Sequence, residues 1–218
     1  MTTVPYNAIS SYSRVQILHA LQSRGDRTIA ELCAATDLHP NTVREHLQRL
    51  LDAGYIVTEN EHRQTRGRPR TLYSAASGSH RISPIAQQKA RAAAQRGDLM
   101  RRVMPWTATS GSALPTEAVH QIDALVEDLA EAGFDPAVDE RSLTVDITPC
   151  PHADAEPAHR DTLCAVHLGL MDSVLAQAGG PLRVDTMAAS CDPRQCVVRL
   201  MLAARAVADP AQNLAGAR

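Results

Sequence analysis

TVREHLQRLLDAGYI, residues 42–56, decides how the first half of the chain folds. Val43, Leu47, Leu50 and Leu51 recur at helical spacing and make one apolar stripe. Pro40 stands just ahead, where the first turn of a helix tolerates proline, and Gly54 stands where a helix ends. The break TDLH, residues 36–39, comes before it; His39 is a poor cap, so the start is expected within a residue of Pro40. Upstream, Thr28 to about Ala35 reads as a shorter helix with Ile29, Leu32 and Cys33 on one face, which puts Cys33 toward a core as an inert thiol. Residues 11–24 carry Val15, Leu18 and Leu21 at the same spacing and stop before Gly25.

Downstream, GYIVTEN (54–60) and RTLYSA (70–75) alternate as two strands, and the loop EHRQTRGRPR (61–70) between them holds four arginines. Two short helices about a tight turn, followed by a hairpin, form a winged helix-turn-helix in outline. Asn41, Thr42, Arg44, Glu45, His46 and Arg49 fall at the start of the third helix or away from its stripe, where base edges and phosphates would be met. Arg66, Arg68 and Arg70 on the loop are placed to enter a minor groove or track phosphates. Charge agrees: residues 1–110 hold 15 Lys and Arg against 8 Asp and Glu, the remainder 7 against 16, although the whole chain is only -2. TVREHLQRLLDAGYI followed by RGRPRTLYS resembles the winged-helix regulators of the ArsR-like and MarR-like kind over residues 11 to about 76. That resemblance implies a double-stranded DNA operator as partner.

Past residue 76 the composition turns to Ala, Arg, Gln and Ser. QQKARAAAQRGDLMRRVM reads as an exposed or pairing helix, and PWTATSGSALP as a linker. A second domain follows, with Val119, Ile122, Val126 and Leu129 on one helix face, LTVDIT as a strand, a long helix from about His159 to Ala178, a strand near 182–187 and CVVRLML as another. Asp123, Glu127, Asp128 and Glu131 are expected on a solvated outer face. The fold class is α+β: a winged helix-turn-helix domain (1–80), a linker with a possible dimerisation helix (81–112), a small cysteine-containing α+β domain (113–204) and a flexible tail (205–218).

Four of the five cysteines, Cys150, Cys164, Cys191 and Cys196, lie in the last seventy residues. They are separated by 13, 26 and 4 residues and form no CxxC pair, so a zinc ribbon is poorly supported and a site assembled by the fold is favoured. Structural thiols, zinc or another soft metal, and an iron-sulfur cluster all remain open on spacing alone. CPH, LCAVHLGL and QCVVRL in this order resemble the C-terminal half of the iron-sulfur repressors of the Suf operon. The resemblance implies a homodimer holding a cluster, 4Fe-4S, through Cys150, Cys164 and Cys196. Cys191 departs from the family spacing, and histidine replaces an aromatic after Cys150-Pro151. The fourth position then falls to Cys191, or to His167, His152 or an outside ligand, with Cys191 an accessory thiol.

No phosphate-cradling glycine loop, nucleophile elbow or paired-carboxylate pattern occurs, so an enzyme is not expected. No run of about twenty apolar residues is present, and MTTVPYNAIS lacks a signal-peptide pattern, so the expected compartment is the cytoplasm with no membrane partner. The expected function is a dimeric regulator, a repressor, whose DNA affinity follows an iron-sulfur cluster; a zinc-responsive regulator or a small-ligand domain with structural cysteines is the alternative.

Overall fold

The computed structural model describes residues 11–61, 69–77, 81–105, 114–148, 155–187 and 196–203. Three helices open the chain: α1 (Tyr12–Ser23), α2 (Ile29–Thr36) and α3 (Pro40–Ala53). Local chemistry sets their limits. Thr28 accepts from the Glu31 backbone N–H and the Glu31 carboxylate accepts from the Thr28 N–H, a reciprocal cap that starts α2. Asp37 turns the chain through the left-handed region at φ 55°, and α3 begins at Pro40, with His39 Nδ1 accepting from the Asn41 N–H at 3.3 Å. Gly54, at φ +82°, ends α3; a Cβ there would sit 3.0 Å from Ser83 Oγ, so glycine satisfies both the turn and the close approach of the next segment.

Strands β1 (Ile56–Asn60) and β2 (Thr71–Ala75) pair antiparallel from Ile56↔Ala75 to Asn60↔Thr71, and Arg27 bridges to Tyr73 on the far side. The winged helix-turn-helix reading of this segment therefore holds. Its core is Val15, Ile17, Leu18, Leu21, Leu32, Val43, Leu47, Leu50 and Ile56. Cys33 is half-buried and packs against it.

Helix α4 (Pro84–Val103) is not an isolated exposed helix. It lies along α5 (Thr116–Glu131), burying Ala90 and Ala93 against Ala124. The α5 acids expected on a solvated face supply the partners. Asp123 accepts a fork of bonds from Arg101, Glu127 pairs with Arg96, and Glu131 pairs with Lys89 at 2.9 Å. Gly97 lets the helices close in, since a Cβ there would sit 2.4 Å from the Asp123 carboxyl carbon.

Beyond α5 come β3 (Ala137–Asp139), β4 (Thr144–Asp146), α6 (Pro157–Ala178), β5 (Leu182–Met187) and β6 (Val197–Leu202). The four strands form an antiparallel sheet ordered β3-β4-β6-β5. Leu125, Leu129, Val145, Ile147, Met171, Leu175, Leu182, Val198 and Leu200 make the second core. Gln121, wholly buried, donates to the Leu175 and Leu182 carbonyls and accepts from the Leu182 N–H, tying α5, α6 and β5 together with no polar atom wasted.

Helix α6 serves both cores. Val166 and Leu170 complete the first, while Met171 and Leu175 belong to the second. Polar contacts follow the first of these faces: Gln22 donates to the Val166 carbonyl, Ser173 to the Ala76 carbonyl, and Gln177 bonds the Ser83 N–H and the Arg81 carbonyl. Leu170→Ala is expected to destabilise the protein by about 2–5 kcal/mol while heat unfolding stays a single transition; calorimetry showing two transitions in the wild type would contradict the shared helix.

Candidate nucleic-acid interface

The stripe of α3 is buried, which forces the opposite face outward. Asn41, Arg44, Glu45, Gln48 and Arg49 are all exposed on it, and Thr42 is half-exposed at its edge. The face is braced along its length. Arg44 Nη1 donates to Asn41 Oδ1 at 2.8 Å, Arg49 Nη2 to Glu45 Oε1 at 2.5 Å, and Gln48 Nε2 to Asp52 Oδ1 at 2.8 Å. These are one-turn pairs in water, worth little as stability. They hold the guanidinium forks and amides along the helix face, where their remaining donors can meet acceptors such as guanine edges or phosphate oxygens. Gln48 was missing from the candidates expected from sequence; the period that places Asn41, Arg44 and Glu45 together reaches it one turn on.

His46 sits apart from the others. It is half-buried at the side of α3, its Nδ1 sequestered with no hydrogen-bond partner among the described residues. Burial lowers its pKa, and Arg14, itself buried on α1, lowers it further by repulsion. His46 is thus less exposed than Asn41, Arg44 and Arg49 on the same helix. Arg70 is exposed at the base of the hairpin, its carbonyl accepting from the Glu61 N–H at 2.8 Å. Arg66 and Arg68 lie outside the described residues.

The cysteine region is described in part. Cys164 is half-buried on α6, on the face that also carries Met171 and Leu175, and His167 one turn later is nearly buried and stacks on Phe134 at 4.8 Å between ring centres. Cys196 is buried at the entry to β6; its N–H donates to Thr148 Oγ1 and its carbonyl accepts from the Ile147 N–H. Both thiols are thus on the side of the second core, and thiolates suit an iron-sulfur cluster or zinc in kind. Cys150, Cys191 and His152 lie outside the described residues, and among the described residues no group of three or more His, Cys, Asp or Glu converges to hold a metal ion.

Residues 11–58 match the model of the bacterial regulatory protein, arsR family, a DNA-binding kind of helix-turn-helix. The match spans α1 through the first residues of β1 and so covers the whole face just described. No curated protein and no solved structure matches the chain. No helix among the described residues is long and apolar enough to cross a membrane.

Arg44→Ala is expected to cost about 1–3 kcal/mol in affinity for a specific site, measured by anisotropy on labelled duplex. If Arg49 bonds a phosphate, Arg49→Ala instead weakens all sequences alike and lowers the slope of log affinity against log salt by about one unit. Unchanged binding in both variants would remove α3 from the interface.

Proposed function

We infer that the protein is a homodimeric transcriptional regulator, a repressor acting in the cytoplasm, whose grip on a DNA operator is set by an iron-sulfur cluster bound to its second domain. The observation that carries the DNA-binding half is the outward face of α3, where Asn41, Arg44, Gln48 and Arg49 stand exposed over a packed stripe. The wing arginines Arg66, Arg68 and Arg70 extend the same footprint along the backbone of the duplex.

The sensing half rests on thiol chemistry and on α6. In this reading Cys164, Cys196 and Cys150, which lies two residues beyond the Thr148 that bonds Cys196, are three ligands, and Cys191 or His167 is the fourth. When bound, a cluster of this kind supplies thiolate links that oxidants break. Cys164 then transmits the change, because the helix that carries it also carries Val166 and Leu170 into the core beneath α3, and Ser173 and Gln177 onto the segment after the wing. A shift of α6 cannot be absorbed locally in so closely packed a core.

Dimerisation is supported by the outer side of α4. Ile85, Leu99 and Val103 lie along one stripe at 41, 51 and 61% exposure, opposite the Ala90 and Ala93 side, and a second copy would cover them. Two α3 helices so paired read half-sites about one helical turn apart.

The test is protein purified without oxygen, wild type beside Cys164→Ser. The expected wild type is brown, with iron and sulfide in matching amounts, and the variant colourless with weakened operator binding. Colourless wild type carrying zinc supports the zinc-responsive reading, and colourless protein without metal after anaerobic reconstitution rejects the cluster.

A further inference from the structure

The short segment ahead of α4, residues 81–83, is held from two sides. From the second domain comes Gln177 of α6, which is 5% exposed and spends both ends of its amide there. Its Nε2 donates to the Arg81 carbonyl at 2.9 Å, and its Oε1 accepts from the Ser83 N–H at 3.1 Å. A buried amide matched in this way fixes the backbone it grips, because losing either bond strands a desolvated polar group.

From the winged-helix side the segment is met at both of its ends. The Arg81 guanidinium lies on Gly25, where a Cβ would come within 2.8 Å of Nη1, and its Nη2 donates to Asp26 Oδ2 at 2.6 Å. The other carboxyl oxygen, Asp26 Oδ1, accepts from the Ser74 hydroxyl at 2.8 Å, and Ser74 Oγ accepts in turn from the Asp26 N–H at 2.9 Å. Asp26 stands at φ 59° between α1 and α2, a left-handed turn that these bonds to β2 hold in place. Ser74 is buried in β2, and its neighbour Tyr73 exchanges backbone bonds with Arg27 at 2.8 and 3.0 Å. At the far end of the segment, Ser83 Oγ caps α4 by accepting from the Ala86 N–H, and it would stand 3.0 Å from a Cβ on Gly54, the residue that ends α3.

Contacts therefore run without a break from α6 to both parts of the DNA-facing surface. Gln177, Arg81, Asp26 and Ser74 reach the wing, while Gln177, Ser83 and Gly54 reach α3. The Arg81–Asp26 pair is too exposed to add much stability, but its geometry fixes where the turn lies. We propose that Gln177 is a positioning residue for DNA binding: by holding residues 81–83 it sets the wing strand β2 and the end of α3 relative to each other. Being buried, it acts only through the segment it grips. The proposal rests on the DNA-binding reading and needs neither the cluster nor the dimer.

The experiment compares three variants of the full chain with wild type: Gln177→Met, which keeps the length of the side chain and loses both bonds, Arg81→Met, which cuts the link to Asp26, and the double variant. Affinity is read by anisotropy, well below melting, on a labelled duplex that wild type has selected from a random pool. Each single variant should bind about fivefold more weakly and the double variant no more than about tenfold, short of the roughly 25-fold loss that independent sites would give. Hydrogen exchange supplies a readout without DNA: in Gln177→Met the Asp26 and Tyr73 amides should speed up about tenfold more than that of Leu47 in α3. A Gln177→Met protein that melts lower yet binds the duplex as wild type does would make Gln177 a stabilising residue only and overturn the proposal. Unchanged exchange at Asp26 and Tyr73, or single losses that simply multiply in the double variant, would overturn it as well. If wild type selects no duplex, the DNA-binding reading itself fails, and the exchange rates alone decide whether Gln177 holds the wing.

Discussion

Two leucines of one helix face different cores: on α6, Leu170 belongs to the core that α1 packs against, and Leu175, little more than a turn away, packs under the second sheet. A helix can do this only if apolar residues run almost all the way round it, and α6 does. Val166, Leu170, Ser173 and Gln177 recur at four, three and four residues and meet the winged-helix side. Cys164, Met171 and Leu175 recur at seven and four and fall on the other side. The domains are therefore not beads on a linker. A displacement of this helix must repack both cores or break the hydrogen bonds to Ala76, Arg81 and Ser83, and close packing gives it little room to do either by degrees.

The second brace is electrostatic and different in kind. The α4–α5 seam is closed by alanines and flanked by Lys89–Glu131, Arg96–Glu127 and Arg101–Asp123 pairs, most of them with at least one exposed or half-exposed partner. Such pairs add little stability each, but they fix which way the two helices lie against each other. Asp123 is the most sheltered of the paired acids and accepts a fork of bonds from Arg101, while Glu127 accepts a second fork from Arg96. The Asp128 carboxyl, on the same helix, accepts a hydrogen bond from no described residue, and Lys89, Glu127 and Glu131 stand with it on the wall of a small cavity between α4, α5 and α6.

Much of the first core was legible in the residues. The Val43, Leu47, Leu50 stripe, Pro40 and Gly54 bracket α3 by local rules alone, and the hairpin follows from alternation and an arginine-rich turn. The expectation for His46 rested on position in a helix and could not register its half-burial or Arg14, 32 residues earlier in the chain, near enough to lower its pKa. The α5 acids read as solvated because nothing within one helix reveals the basic helix laid across it. The double role of α6 was hidden for the opposite reason: its apolar residues lack a single period, which marks burial but not how many partners share it. Cysteine spacing pointed to a fold-assembled site, and of its members the described fold places Cys164 and Cys196 on the second-core side without gathering three ligands.

The most direct test of a single body joined through α6 is native-state hydrogen exchange of the α1 and α3 amides after the second core is weakened by Val145→Ala. Val145 is fully buried on β4 and touches no residue of the first core by its placement in the sheet. If α6 couples the two cores, the slowest amides around Ile17, Leu18 and Leu47 lose protection by the same free energy as those of β6. Unchanged protection in α1 and α3, with loss confined to the second sheet, would contradict the account.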